Sequence, residues 1–145
     1  MAQSGNLHRF LDAQESDYEI ALSEIKNGRK RSHWMWYIFP QISGLGFSEV
    51  SRYYAIRNID EAGRYLNHPV LGNRLVQISN VLLSLATNNA KTIFPGPDDL
   101  KLKSSMTLFS LLPNADLIFQ SVLDKFFGGE KDQKTLKIIS DETKN

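Results

Sequence analysis

Pro69-Val70-Leu71-Gly72-Asn73-Arg74-Leu75-Val76-Gln77-Ile78-Ser79-Asn80-Val81-Leu82-Leu83-Ser84-Leu85 is the stretch that sets the fold class. Leu71, Leu75, Ile78, Leu82 and Leu85 recur at intervals of three and four, which puts them on one stripe of a helix. Pro69 suits the first helical position, where no amide hydrogen is needed. The spacing predicts a long amphipathic helix that is the main support of the domain, with Leu75, Ile78 and Leu82 buried.

Toward the amino terminus, Asp60 opens a helix with Ala62, Tyr65 and Leu66 on its inner face, and His68-Pro69 breaks it. Ser48 caps a helix from Glu49 to Ile56 with Val50, Tyr53 and Tyr54 as candidate buried positions. Further back, Leu7, Phe10 and Leu11 give a short helix ending near Gln14. Ser16 and Glu19 have capping-box spacing for a second one, whose stripe is Tyr18, Ala21, Leu22 and Ile25 and whose left-handed end is Gly28.

Toward the carboxyl terminus, Asn88-Asn89 ends the long helix and Ile93 to Asp99 reads as a rigid loop. Asp98 or Asp99 caps a helix carrying Leu100, Met106 and Phe109, which Pro113 breaks. Asn114 caps another, with Ile118, Phe119, Val122, Leu123 and Phe126 apolar and Gly128-Gly129 closing it. Asp132 opens the last, through Leu136 and Ile139. The expectation is a mainly α, compact multihelical single domain over residues 1–145, with at most minor strands. The polar ends, about 1–6 and 141–145, are expected to fray.

The formal net charge of +1 gives no global field to recruit nucleic acid or an anionic membrane. With no cysteine, disulfides and thiolate chemistry are excluded. His8, His33 and His68 lack the close spacing of a helical ligand pair, so no metal is expected. No motif calls for a cofactor. No run approaches the ~18 apolar residues of a membrane span, and Met1 to Asn6 has no signal-peptide core, so the expected location is the cytoplasm.

Chemistry is concentrated in Gly28-Arg29-Lys30-Arg31-Ser32-His33-Trp34-Met35-Trp36-Tyr37-Ile38-Phe39-Pro40-Gln41 and the following Gly44-Leu45-Gly46. From Ser32 to Phe39 nearly every position is apolar, which fits two helical turns or a short strand. We read it as helix, capped by Ser32 and ended at Phe39 by Pro40. A second patch runs from Asp99 to Thr107, with Lys101, Lys103, Ser104 and Ser105 among apolar positions. Polar groups interleaved in both segments are most readily satisfied if the two face each other, so they are expected to meet.

This composition suits an anionic small molecule with a flat ring, nucleotide-like or ribosyl-phosphate in type. The ring would lie on Trp34 or Trp36, and the phosphate would be met by Arg31, Lys30 or the helix start near Ser104. His33, Gln41, Gly44, Gly46, Lys101 and Ser105 complete the candidate set. For a hydrolase, Asp99 is the carboxylate in place to act as general base or to steady a cationic sugar transition state; a helix cap is the competing role. The tryptophans also fit a core, and the cations also fit a solvated surface. The alternative function is a non-enzymatic protein-interaction or regulatory module using exposed aromatics and Arg as anchors. Single-stranded nucleic acid is disfavoured by the near-neutral charge.

The long block, Gly44-Leu45-Gly46, Tyr65-Leu66-x-His68-Pro69-x-Leu71-Gly72 and Lys101-Leu102-x-Ser104-Ser105-Met106-Thr107-Leu108-Phe109 together resemble a bacterial family of unknown function, whose members are sometimes labelled calpastatin-like. The resemblance runs from about Phe10 to about Ile139 and implies a compact, mainly helical domain. Protease inhibition does not follow from it, because true calpastatin segments are disordered. A second likeness, through Phe39-Pro40-Gln41 and Lys125-Phe126, is to the YbiA-like N-glycosidases. It implies hydrolysis of an N-glycosidic bond to ribose, although Met35, Trp36 and Tyr37 stand where that family has a glutamate.

Overall fold

In the computed structural model, which describes the backbone of residues 2–113 and 115–143 and the side chains of 7–113 and 115–142, the apolar stripes become helices. In chain order they are α1 (Ala2–Lys26), α2 (Met35–Ile38), α3 (Glu49–Tyr54), α4 (Ile59–Asn67), α5 (Leu71–Ser84), α6 (Ala90–Ile93), α7 (Asp98–Ser110), α8 (Ile118–Phe127) and α9 (Gln133–Thr143). Among the described residues the strand-like pairing is an isolated parallel bridge between Ile42 and Ile56. The domain is mainly α.

Helix α5 packs on α1, α4 and α8, and Leu71, Leu75, Ile78 and Leu82 are buried. Helix α7 is the second internal element, set against α4, α6, α8 and α9. Its apolar residues Leu102, Met106, Leu108 and Phe109 are buried, and so are Ser104, Ser105 and Thr107. The hydroxyls of Ser104 and Thr107 have hydrogen-bond partners there, whereas Ser105 Oγ has none among the described residues. Ser104 Oγ donates to the Leu100 carbonyl at 3.1 Å, and Thr107 Oγ1 accepts the Asp132 amide at 2.9 Å.

The first 26 residues differ from the sequence reading. α1 is one uninterrupted helix, and Ser16 caps nothing; its hydroxyl donates to Asp17. The apparent break is Gln14, a polar residue on the buried stripe between Phe10 and Tyr18. Its amide donates to the Tyr37 carbonyl at 2.7 Å and the Tyr65 hydroxyl at 2.9 Å and accepts from Arg74 at 3.3 Å. One side chain thereby ties α1 to α2, α4 and α5. A buried ion pair, Arg9 to Glu61 at 2.8 Å, adds a second tie between α1 and α4.

Ser48 caps α3 as expected, its hydroxyl accepting the Ser51 amide. Val50 and Tyr53 are exposed, because α3 is a six-residue surface turn, and Ile56 leaves it to pair with Ile42. The cap of α4 is Asn58 rather than Asp60. His68 accepts the Val70 and Leu71 amides through Nδ1 and so helps to start α5. Asn89 caps the short α6, whose last residue, Ile93, is the first of the expected loop. Asp98 and Asp99 occupy the first turn of α7 without capping it, and Leu100 is 58% exposed. Asp132 caps α9 through Thr135. The expected Asn114 cap lies outside the described residues.

Gly72 fixes the α4–α5 junction. A Cβ there would stand 1.9 Å from the Leu66 carbonyl oxygen, which is backbone and has no rotamer to retreat into. Gly72→Ala should therefore destabilise the fold by about 1–3 kcal/mol, despite alanine's better helix propensity. A thermal melt showing an unchanged or raised Tm would contradict this junction.

Candidate functional site

The site is built on the end of α1. Gly28 adopts φ +82°, its amide bonds to the Ile25 carbonyl, and the chain turns back past Glu24. The Glu24 carboxylate accepts four hydrogen bonds: from the Arg31 amide (2.7 Å), the Ser32 amide (2.9 Å), the Ser32 hydroxyl (2.5 Å) and the Trp34 indole (2.9 Å). Burial by itself would raise the pKa of this carboxyl. The hydrogen bonds from the Ser32 hydroxyl, the two amides and the indole outweigh it and hold the pKa down at about 2.

With its indole N–H held, Trp34 lies in the core, 1% exposed, edge-on to Phe94. Lys30 is fixed as well: its amide donates to the Ile93 carbonyl, and its ammonium stands 2.9 Å from Asp98 and 5.3 Å from the Trp34 ring centre. The single turn of α2 then sends Met35, Tyr37 and Ile38 inward. The Tyr37 hydroxyl donates to Asp17, and burial followed by that carboxylate pushes its pKa well up. Trp36 faces the other way and is partly exposed.

Trp36 forms one wall of a groove of about 770 Å³ with Gln41, Leu45, Gly46 and Phe47; the opposing residues are Leu100, Lys101, Lys103 and Ser104 of α7 and Glu130 to Lys134. Lys101 lies with its ammonium 4.9 Å from the Trp36 ring centre and 3.3 Å from Asp98. A smaller recess behind Trp36 is lined by Gln41, Gly44, Gly46 and Arg52. Gly44 has φ +108°, and a Cβ on Gly46 would strike Ser51 Oγ at 2.6 Å, so both glycines are required by the loop's path.

Of the candidates, Trp36, Gln41, Gly46, Lys101 and Ser104 therefore share one groove, with Gly44 in the adjoining recess. The remainder are placed elsewhere. Trp34 and Ser105 are core, Lys30 is held by Asp98, and Arg31 and His33 are exposed outside the groove lining. Asp99 is 5% exposed and faces a different groove, beside Asn88 and Phe127. Among the described residues no cluster of three or more metal-binding side chains occurs, and no helix is long and apolar enough to cross a membrane.

Residues 4–139 match the family described as protein of unknown function, DUF1810. The chain belongs to that family. The crystal structure of a conserved hypothetical protein from Mycobacterium tuberculosis is 41% identical, superposes with a TM-score of 0.91, and covers 93% of this chain and 96% of its own. No match was found among curated proteins. The DUF1810 match spans the Glu24 clamp, the aromatic block and both walls of the groove.

Sequence reasoning missed Glu24, Phe47, Lys131 and Lys134, whereas Lys103 belongs to the expected α7 patch. Glu24 stands among polar residues near the end of α1 and carries no pattern of its own; the signal is the cluster of donors shortly after it. Because its pKa is depressed, Glu24 contributes stability that is fully present above its ordinary value of 4.5 and is lost as pH falls toward 2. Glu24→Gln should cost about 0.5–1.5 kcal/mol at pH 7, because solvent screens a partly exposed carboxylate. The gap between parent and variant in denaturant midpoint should narrow on acidification from pH 4.5 to 2. A gap that is constant over that window would contradict the clamp.

Proposed function

We propose that the groove beside Trp36 binds a small anionic molecule with a flat ring, of nucleotide or ADP-ribose type, in the cytoplasm. What supports this reading above all is the pairing of a partly exposed Trp36 with Lys101 at 4.9 Å in a concave site. Lys101, Lys103, Lys131 and Lys134 line the groove; Lys101 is paired with Asp98 and Lys103 with Glu130, while Lys131 and Lys134 have no ion pair among the described residues and leave the groove locally basic. Phe47, 80% exposed, lines the same groove and can cover the second face of a ring. On binding, Lys101 leaves the indole face to the ligand's ring and turns to its phosphate, exchanging a cation–π contact and its ion pair with Asp98 for a charge-assisted hydrogen bond, while Asp98 keeps Lys30.

Hydrolysis of an N-glycosidic bond, as the YbiA-like likeness implies, needs a carboxylate at the ribosyl carbon. Asp99 lines the other groove, Glu130 pairs with Lys103, and Asp132 caps α9. Binding is therefore the reading we adopt, with turnover secondary to it. A calpastatin-like role has no support from a folded helical domain. The exposed Phe47, Val50 and Tyr53 favour a second reading, in which this edge meets a protein partner.

Thermal-shift measurements with ADP-ribose, ATP and ribose 5-phosphate test the proposal. A ligand at 100 times its Kd should add about 2.7 kcal/mol of stability. Trp36→Ala should abolish that response at a cost of about 1–2 kcal/mol to the fold, and Lys101→Ala should weaken it, whereas Arg31→Ala should respond as the parent does. A parental response from Trp36→Ala would overturn the site, and no response from the parent to any of these ligands would favour the protein-partner reading.

A further inference from the structure

On the other side of the Leu100–Lys103 ridge lies a second groove, of about 630 Å³, into which the first turn of α7, the 87–91 segment and the end of α8 all bring side chains. Its unusual member is Asp99. The side chain is buried, and Oδ1 has no hydrogen-bond partner among the described residues. A buried carboxylate is normally paired or hydrogen-bonded. Of the neighbouring cations, Lys30 and Lys101 are engaged with Asp98, Lys103 with Glu130, and Lys125 with the Leu85 carbonyl and Asn88, and Lys91, on the facing segment of the groove, makes no ion pair with Asp99. What Asp99 lacks is a charged donor.

The facing segment has the opposite deficit. Thr87 Oγ1 accepts the Asn89 amide, Asn88 Oδ1 accepts from Lys125, and Asn89 Oδ1 accepts the Lys91 amide. Each of these side-chain oxygens already accepts a hydrogen bond, and the side-chain N–H groups of Asn88 and Asn89 and the exposed ammonium of Lys91 remain as donors. Phe126 and Phe127 supply apolar surface in the same groove. We propose that this groove binds a small zwitterion of the α-amino acid type with an apolar side chain: the ammonium on Asp99, the carboxylate on Asn88, Asn89 and Lys91, the side chain on Phe126 and Phe127. This site is separate from the Trp36 groove and does not depend on what that groove binds.

The test is an NMR titration of the ¹⁵N-labelled full chain with L-phenylalanine, 2-phenylethylamine and 3-phenylpropionate. L-Phenylalanine should shift the amides of Asn88, Asn89, Lys91 and Phe127 saturably, and each analogue, lacking one charge, should bind at least about tenfold more weakly. Asp99→Asn and Phe127→Ala should both weaken L-phenylalanine binding, Asp99→Asn by about tenfold or more, whereas Trp36→Ala should leave it unchanged. Should Asp99→Asn lose its folded spectrum, Phe127→Ala and the two analogues decide. The proposal is overturned by equal binding of 3-phenylpropionate, by parental affinity in a folded Asp99→Asn, by parental affinity in Phe127→Ala, or by the absence of saturable shifts.

Discussion

Glu24 accepts four hydrogen bonds from the residues that follow α1, and the geometry of the whole aromatic block depends on them. A carboxylate partly withdrawn from water needs compensation, and here two amides, a hydroxyl and an indole provide it in place of a cation. The clamp reverses the chain and fixes the direction of the Trp34 ring. Trp34 stands just before α2 and points into the core, whereas Trp36, inside that single turn, faces outward. The cations divide in the same way, with Lys30 drawn to Asp98 and Arg31 left exposed.

Helix α7 gives the molecule its two-sided character. Its middle is buried against α4, α6, α8 and α9, so only its first turns reach the surface. There Leu100 and Lys103 line both grooves, Lys101 and Ser104 only the one shared with Trp36, and Asp99 only the other. Adjacent acids consequently do different work: Asp98 pairs with Lys30 and Lys101, while Asp99 has no ion pair among the described residues.

The fold class was legible because it rests on periodicity. The stripe from Leu71 to Leu82, the apolar face from Ile118 to Phe126 and the caps at Ser48 and Asp132 are local signals, and the structure has all of them. Gln14 was misread because a polar residue on a buried stripe looks like a helix end until its three distant partners are known. The site was half legible for the same reason. Residue types located the block and the α7 patch, but which of Trp34 and Trp36 is core depends on Glu24, a long-range choice that no spacing encodes. Lys131 and Lys134 reach the groove only because the turn after α8 returns the chain to α7.

With the Glu24 clamp holding Trp34 in the core, the proposed recognition surface is Trp36, and the two indole N–H resonances of the protein report on the two rings separately. Assigned through Trp36→Phe and followed during titration with ADP-ribose, the Trp36 signal should move saturably. The Trp34 signal, bonded to Glu24 at 2.9 Å, should stay in place. Movement of the Trp34 resonance with Trp36 unaffected would contradict the account.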